Sequence, residues 1–317
     1  MNHSRAPPQY NQHMRPRHNW QLRSRTLELG QRTFIMGIVN VTPDSFSDGG
    51  KFLAAEFAVR QALQLLDEGA DIVDIGGEST RPGAAVAAEG AELAAATNPV
   101  VSEAEELRRV LPVVKAVLRV RPGAVLSVDT YKSAVARAVV AAGAEIVNDV
   151  SAFQWDKEMA RTCAETECGV VLMHTRGRPE QWRNLPHESD ILSLLEHDLA
   201  NRVQVAFERG VRRERIVLDP GFGFGKNFEE NYPLLAHFDR LHRMGFPLLA
   251  GTSRKSFVGR TAGARAGKDL PPDERLHGSL AAMVATILRG AHIVRVHDVK
   301  PAVEAAAVAD EILAAAA

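Results

Sequence analysis

Residues 34–39 read Phe-Ile-Met-Gly-Ile-Val, a short run that is apolar on both faces and is followed by the polar Asn40. Such a run is typical of a parallel β-strand that is buried on both sides. Seven more runs of this kind, rich in Val, Ile and Leu, follow at residues 72–75, 125–128, 146–150, 170–173, 216–218, 247–250 and 293–296. The sequence therefore predicts eight buried strands in one chain.

Amphipathic segments separate the apolar runs. In residues 54–68, Phe57, Leu63 and Leu66 recur at helical spacing, and Gly69 follows, as glycine often does at a helix C-terminus. The predicted helices are residues 54–68, 102–120, 132–142, 158–166, 189–208, 228–244, 277–289 and 301–313. Alternating strands and helices with right-handed crossovers predict an α/β fold, a closed (β/α)8 TIM barrel. An open doubly wound sheet is the alternative, although no glycine-rich dinucleotide motif follows the first strand.

Length and composition fit a single barrel domain in the cytoplasm. The chain has 317 residues, 45% hydrophobic and 24% charged, which argues against disordered and fibrous classes. A net charge of −1 argues against nucleic acid as the partner, and no apolar stretch is long enough to span a membrane. The two cysteines, Cys163 and Cys168, cannot form a disulfide framework, so we expect buried thiols in a reducing compartment.

The N-terminus differs in composition from the rest of the chain. Residues 1–25 contain five Arg, three His and no acidic residue. We expect a disordered basic tail over residues 1–20 and the barrel domain over residues 21–317. Residues 22–31 alternate in polarity around a glycine, which predicts a short hairpin at the bottom of the barrel. Residues 84–98 contain eight Ala and predict a long surface loop or a short helix.

Polar and charged residues stand where nearly every predicted strand ends. In a TIM barrel these C-terminal ends meet at one mouth, where the chemistry takes place. A single polar residue there, such as Thr130, Asp149 or Asp298, is most simply a cap of the next helix. Caps do not require Lys, Arg and His at the same rim, so the whole set predicts a ligand site with both signs of charge. The set comprises Asn40, Asp129, Asn148, His174, Asp219, Lys255, Arg295 and His297.

The acceptors in this set suit a flat heterocycle. Asp129, Asn148 and Asp219 offer two carboxylates and an amide, and carboxylates accept pairs of N–H bonds from a ring edge. Phe224 and Pro82 could flank such a ring.

The cations suit an anionic group. Lys255, Arg295 and His297, with a helix start at Ser256, would bind a phosphate or a carboxylate. The glycine-rich loops at residues 44–50 and 76–83 have the composition of mobile lids.

Two metal hypotheses stay open on this reasoning. The ligands of a tight zinc site would be His174, His297, Asp129 and Asp219. The first strand, however, lacks the paired histidines that such sites usually show. A Mg²⁺ that enters with a diphosphate needs only one or two protein oxygens, and Asn40 could supply one.

Seven segments in a fixed order carry a resemblance to a known family. The first two are 34–50, ending Asn-Val-Thr-Pro-Asp-Ser-Phe-Ser-Asp-Gly-Gly, and 74–83, Asp-Ile-Gly-Gly-Glu-Ser-Thr-Arg-Pro-Gly. The others are Ser-Val-Asp-Thr at 127–130, Val-Asn-Asp-Val at 147–150, Asp-Pro-Gly-Phe-Gly-Phe-Gly-Lys at 219–226, Gly-Thr-Ser-Arg-Lys-Ser at 251–256 and Arg-Val-His-Asp at 295–298. From about residue 22 to its end, the chain resembles the dihydropteroate synthases, which are pterin-binding TIM barrels.

The resemblance implies a transferase of folate biosynthesis. Such an enzyme condenses 6-hydroxymethyl-7,8-dihydropterin diphosphate with p-aminobenzoate and releases 7,8-dihydropteroate and diphosphate. It also implies these two small-molecule substrates, Mg²⁺ as the cofactor and a homodimer.

Specific roles follow from the same resemblance. The residues implied to hold the pterin are Asp129, Asn148, Asp219 and Lys255. Those implied to hold the diphosphate with Mg²⁺ are Asn40, Arg295 and His297. The implied p-aminobenzoate pocket consists of Thr80, Arg81, Pro82, Phe224, Lys255 and Ser256, and Ser253 completes the substrate-binding set. The expected catalytic residues are Asp129, Lys255, Arg295 and His297.

Two other functions compete with this one. A pterin-binding methyltransferase module shares the barrel and the acids, but it would lack the Ser-Arg-Lys segment at 253–255 and the complete first two loops. A non-catalytic pterin-binding paralogue would have lost diphosphate residues, whereas Asn40, Arg295 and His297 are all present.

Overall fold

The computed structural model describes residues 15–41, 51–79 and 100–316, and within them it shows the predicted barrel. The strands are β1 (His18–Gln21), β2 (Thr26–Leu29), β3 (Phe34–Asn40), β4 (Ile72–Gly76), β5 (Val125–Asp129), β6 (Ile146–Asp149), β7 (Gly169–Met173), β8 (Ile216–Asp219), β9 (Leu249–Ala250) and β10 (Ile293–Val296). Strands β3 to β10 form one parallel sheet in the order β8-β7-β6-β5-β4-β3-β10-β9. A parallel bridge between Leu218 and Leu248 joins its two ends, so the sheet closes.

The helices lie outside this sheet. Those of the described residues are α1 (Lys51–Asp67), α2 (Glu103–Val120), α3 (Ser133–Ala141), α4 (Met159–Thr166), α5 (Ile191–Glu208), α6 (Phe228–Ala236), α7 (Ser256–Gly263), α8 (Leu276–Leu288) and α9 (Val299–Ala315). The predicted single helix at 228–244 is wrong, because α6 ends at Ala236 and a 3₁₀-helix covers Phe238–Met244. Phe238 and Leu241 are both buried, and their three-residue spacing suits a 3₁₀-helix. No helix in the described part of the chain is both long enough and apolar enough to cross a membrane.

The interior of the barrel changes character along its axis. Its bottom layer is an apolar cluster that includes Met36, Ile72, Val125, Ile146, Val171, Val217, Leu249 and Ile293. Because side chains alternate along a strand, the residues two positions further on face the same interior. On five of these strands those residues are polar, namely Asp74, Ser127, Asn148, Asp219 and Arg295. The interior of the barrel is therefore apolar at the bottom and mainly polar or charged at the mouth.

A hairpin covers the bottom, as predicted, but it begins earlier than expected. β1 and β2 pair antiparallel, from His18 opposite Leu29 to Gln21 opposite Thr26. Trp20 is fully buried, and its Nε1 donates to the carbonyl of Arg215 at 2.8 Å. The predicted boundary at residue 20 is therefore corrected, since this buried ring holds β1 against the barrel. Residues 1–14 of the predicted tail lie outside the described residues.

The glycine within the first barrel strand has a packing reason. A Cβ atom on Gly37 would lie 2.9 Å from Cγ2 of Val299 and 3.0 Å from Cδ1 of Leu65. Helices α1 and α9 thus pack closely on β3 at this point, where a side chain would push them away.

Candidate active site

Asn40, Asp129 and Asn148 lie in one row across neighbouring strands at the mouth. In the parallel register, Asn40 pairs with Gly76, Gly76 with Asp129, and Asp129 with Asn148. A Cβ atom on Gly76 would lie 3.6 Å from Cβ of Asp129 and 3.8 Å from Oδ1 of Asn40. The lack of a side chain at Gly76 therefore leaves open space between two polar groups.

Arg295 on β10 is the centre of an ionic network inside the barrel. Its Nε donates to Oδ2 of Asp74 at 2.6 Å, and its Nη2 donates to Oδ2 of Asp129 at 2.8 Å. Asn148 donates from Nδ2 to the same Asp74 oxygen at 3.0 Å. The network links β4, β5, β6 and β10, and none of these bonds uses Nη1 of Arg295.

Asp74 is a residue of this network that the sequence reasoning missed. It is fully buried, and its Oδ1 has no hydrogen-bond partner among the described residues. A buried charge is costly unless it is paired, and Arg295 supplies the pairing. The available signal was a carboxylate within an apolar run, on the same strand face as Ile72.

Burial and charge shift the pKa values in this network. Burial raises the pKa of Asp129 to about 7, with Arg295 opposing the shift and Asp74 adding to it. Burial alone would lower the pKa of Arg295, but Asp74 and Asp129 outweigh it, so the pKa is raised and the guanidinium stays charged. A ligand that brings N–H donors would favour the ionised form of Asp129.

Asp219, Lys255 and Phe224 form another side of the mouth. Burial raises the pKa of Asp219 to about 6, although the N–H of Gly221 at 2.7 Å and the charge of Lys255 oppose it. Burial, reinforced by Arg295, lowers the pKa of Lys255 to about 7. Nζ of Lys255 lies 3.9 Å from the centre of the Phe224 ring. Both charged groups therefore titrate where a bound ligand can change their protonation.

The turn after β8 is held from inside. Gly221 has a φ of +65°, and a Cβ atom there would lie 2.0 Å from the carbonyl oxygen of His174, so only glycine fits. Lys226 donates from Nζ to the carbonyls of His174, Gly221 and Phe224 at 3.3, 2.9 and 3.2 Å. These bonds fix the turn so that Phe224 faces Lys255.

His297 is neutral, and its ring lies against the hydroxyl of Ser253. Burial, with Arg295 and Arg254 adding to it, lowers the pKa of His297 to about 3. Oγ of Ser253 accepts from the backbone N–H of His297 at 3.2 Å and lies 3.1 Å from Nδ1. A hydroxyl oxygen has two lone pairs, so this contact is compatible with a proton on either ring nitrogen. The contact engages Nδ1 and does not use Nε2 of His297.

Not every predicted site residue falls within the described residues. Thr80, Arg81 and Pro82 lie outside the described residues, as do the whole loop at 44–50, residues 80–83 of the second glycine-rich loop and the stretch at 84–98. Ser256 is exposed at the first position of α7, next to Lys255.

The capping hypothesis is wrong for all three residues, because the N-caps of α3 and α4 are Lys132 and Glu158 and the bonds of Thr130 and Asp149 close turns instead. Thr130 accepts from the N–H of Lys132 at 3.2 Å, and Asp149 accepts from the N–H of Ser151 and of Phe153 at 2.8 Å. Asp298 stands at the N-cap position of α9, but its side chain makes no cap bond. Its carboxylate binds Arg254 instead, a residue 44 positions away in the sequence.

The site offers oxygen ligands rather than a histidine cluster. The described ranges contain no group of three or more His, Cys, Asp or Glu placed to hold a metal ion. Nε2 of His174 lies 3.1 Å from Oδ2 of Asp198. The oxygens of Asn40 and Asp129 lie on either side of Gly76, which suits a Mg²⁺ that takes its other ligands from phosphate and water.

Comparison with known proteins identifies the family of this chain. The family described as pterin binding enzyme matches residues 36–297. A dihydropteroate synthase of Clostridium beijerinckii is 42% identical over 291 residues, which cover 92% of this chain and 98% of that protein. The structure of the Xanthomonas albilineans dihydropteroate synthase with 4-aminobenzoic acid is similar at a TM-score of 0.81 and 42% identity, covering 94% of this chain and 99% of that one. The same enzyme in complex with 7,8-dihydropteroate gives a TM-score of 0.78 at 40% identity, with the same coverage of 94% and 99%. The chain therefore belongs to the dihydropteroate synthase family of pterin binding enzymes.

Proposed function

We propose that the mouth of this barrel condenses 6-hydroxymethyl-7,8-dihydropterin diphosphate with p-aminobenzoate to 7,8-dihydropteroate and diphosphate. The observation that carries the proposal is the meeting of opposite charges in one buried place, where Asp74 and Asp129 bind Arg295. Lys255 and His297 stand in the same mouth. Such a site has acceptors for an N–H-rich ring and donors for an anion. Membership of the family supports the same reaction.

The pterin would be held by acceptors on three strands. Asp129 and Asp219 are the last residues of β5 and β8, and Asn148 is the residue before the end of β6. Asn148 and Asp219 are buried. Their oxygens would accept from the ring's N–H groups. Met173 and Phe224 belong to an apolar cluster at this end of the barrel and would cover the faces of the ring.

The diphosphate would lie against the cationic side of the mouth. The contact with Ser253 leaves Nε2 of His297 for the diphosphate, and Nη1 of Arg295 is left over from its bonds to Asp74 and Asp129. Asn40 would hold Mg²⁺ through its amide oxygen. A bound Mg²⁺ neutralises negative charge on the phosphate oxygens. Arg295 and His297 add to this by donating to the oxygens as the leaving group departs.

The reaction itself needs positioning more than proton transfer. The bond between the pterin methylene carbon and the diphosphate oxygen breaks, and the electron pair leaves with the diphosphate. Asp129 would stabilise the positive charge that spreads into the ring. The neutral arylamine nitrogen then forms the new C–N bond and afterwards loses one proton to water. No dedicated base is required, since the amine attacks in its neutral form.

The p-aminobenzoate would approach from the side of β9 and α7. Its carboxylate would meet Lys255 and the N–H groups at Ser256, where α7 starts. Phe224 would pack on its ring. Thr80, Arg81 and Pro82 are proposed to complete this pocket on the strength of the sequence resemblance alone.

A homodimer is part of the same proposal. Val308 and Ile312 stand one helical turn apart on α9 and are 63% and 50% exposed. A second copy would cover these side chains. Light scattering at micromolar concentration tests it, and a monomer mass would contradict it.

The reaction is tested with purified protein and both substrates. We expect 7,8-dihydropteroate, identified by mass spectrometry, only when the pterin diphosphate, p-aminobenzoate and Mg²⁺ are all present. A matched reaction without p-aminobenzoate is the control. Tight binding of the pterin without any product would contradict the proposal and favour a binding paralogue or a methyltransferase module.

A further inference from the structure

Two adjacent cross-links tie the end of β9 to the end of β10. The hydroxyl oxygen of Ser253 accepts from the backbone N–H of His297 at 3.2 Å and lies 3.1 Å from Nδ1 of the His297 ring. At the next position on both segments, Arg254 donates from Nε and Nη2 to Asp298 at 3.1 and 2.6 Å. Ser253 and Arg254 thus pair, in that order, with His297 and Asp298, so the position of one segment fixes that of the other.

Arg254 also has an uncommon backbone conformation. Its φ is +57°, in the left-handed region that a side chain other than glycine rarely adopts. Its N–H donates to Oγ of Ser279 at 2.8 Å, and its carbonyl accepts from Nη1 of Arg275 at 2.8 Å. A residue in such a conformation persists only where its surroundings hold it from several sides. Here the turn lets Ser253 contact His297 while Lys255 contacts Phe224.

Asp298 serves this turn at the expense of its own helix. An Asp at an N-cap position usually accepts from the first free N–H groups of the helix. Asp298 makes no such bond, because both of its carboxylate oxygens accept from Arg254. Asp298 thus binds Arg254, the strained residue that lies beside His297, rather than the N–H groups of its own helix.

We propose that Arg254 and Asp298 are positioning residues for the anion-binding side of the mouth. The pair holds Ser253 and His297 in the register in which Nε2 of His297 faces the diphosphate, and it touches no substrate itself. This inference rests on the proposed function. Its consequence is selective, because Asp129, Asn148 and Asp219 stand on other strands and would keep the pterin in place without the pair.

The test compares Asp298→Asn with a matched control. Arg240, in the 3₁₀-helix Phe238–Met244, and Glu196, on the outer helix α5, form the same side-on pair at 2.9 and 2.6 Å. The exposed fractions of their side chains, 30% and 24%, are close to the 34% and 25% of Arg254 and Asp298. Calorimetry would measure the Kd of inorganic diphosphate with Mg²⁺ and the Kd of 6-hydroxymethylpterin, and steady-state kinetics would give kcat and each KM. For Asp298→Asn we expect about tenfold weaker diphosphate binding and about tenfold lower kcat, with pterin binding within about twofold of wild type. Glu196→Gln should change none of these values.

A second variant keeps the proposal testable if Asp298→Asn folds poorly. Arg254→Gly accepts the positive φ but removes the guanidinium, so it should show the same selective loss, and the double variant should lose no more than either single one. Unchanged diphosphate affinity in an active Asp298→Asn enzyme would overturn the inference alone. Equal losses of pterin and diphosphate binding would also overturn it, by showing a general structural role. Wild-type protein that forms no dihydropteroate would instead overturn the proposed function.

Discussion

The bottom and the mouth of this barrel are built from the same strands. Along these strands, apolar and charged interior residues lie only two positions apart. On β4 the interior residue changes from Ile72 to Asp74, and on β10 from Ile293 to Arg295. The lower residues join the hairpin in one apolar cluster, whereas the upper ones form an ionic network. Because the backbone is shared, the difference between the two ends is a difference of side chains alone.

The bottom of the barrel therefore supplies stability, and the mouth supplies the charged groups of the site. At the mouth, burial moves the pKa of Asp129 up to about 7 and that of Lys255 down to about 7, so the fold disfavours the charged form of both. Such groups weaken the fold in return for a prepared site, and the apolar bottom compensates. Changes at the mouth should therefore reduce activity without unfolding the protein, and changes at the bottom should do the reverse.

The largest effect is expected at the mouth, for Asp129→Asn. Turnover should fall by about a hundredfold to a thousandfold, because the proposed cation would lose the carboxylate that we propose stabilises it. The free energy of unfolding should not fall. The pKa of Asp129 is raised from 3.8 to about 7, so ionisation of Asp129 destabilises the fold as pH rises through this range, and Asn cannot ionise. Steady-state kinetics and urea unfolding at pH 8 measure the two effects. Near-normal turnover, or unfolding as early as in a core-deletion variant, would break the comparison.

The next effect is expected at the bottom, for Trp20→Ala. The change empties a fully buried site and removes the bond to the carbonyl of Arg215, so we expect a loss of about 3–5 kcal/mol in the free energy of unfolding. Well below the melting temperature, kcat should stay as in wild type. Val120→Ala, on a 46% exposed side chain, is the control and should cost less than about 0.5 kcal/mol. A variant of Trp20 with intact stability but low kcat would place this residue in the chemistry.

The smallest effect is a pH dependence at the bottom, from His292. Its Nδ1 accepts from the N–H of Leu248 at 3.0 Å, and its Nε2 faces the carbonyl of Pro16 at 2.7 Å. Burial, reinforced by His242, lowers the pKa of His292 from 6.5 to about 3. Its contribution is thus complete above pH 6.5 and is lost as pH falls from there toward 3, by up to about 1.4 kcal/mol per pH unit. Urea unfolding between pH 7.5 and pH 5.5 should show a shallower acid slope for His292→Gln, and an unchanged slope would exclude His292 as its source.

The sequence predicts the barrel well because its signal is local. Each buried parallel strand is apolar on both faces, which marks it without any knowledge of its neighbours. β9 is shorter than predicted, since Pro247 has no N–H and the N–H of Leu248 donates to Nδ1 of His292 instead of to a neighbouring strand. Trp20 was assigned to the tail because its partner, the carbonyl of Arg215, lies 195 positions away.

The site was predicted by residue type, but its internal bonds were not. Asp74 and Arg295 are 221 positions apart, so nothing local shows that they pair. Asp298 has the local features of a helix cap, and only the contact with Arg254 shows otherwise. Sequence patterns thus identify which side chains reach the mouth, whereas the tertiary fold decides which of them bind one another.

The most direct test of this account is a crystal structure of the protein with the pterin diphosphate and Mg²⁺. The account predicts the N–H edge of the ring against Asp129, Asn148 and Asp219, with diphosphate oxygens at Nε2 of His297 and Nη1 of Arg295. A ring bound away from these acceptors, or a diphosphate that contacts neither His297 nor Arg295, would contradict it.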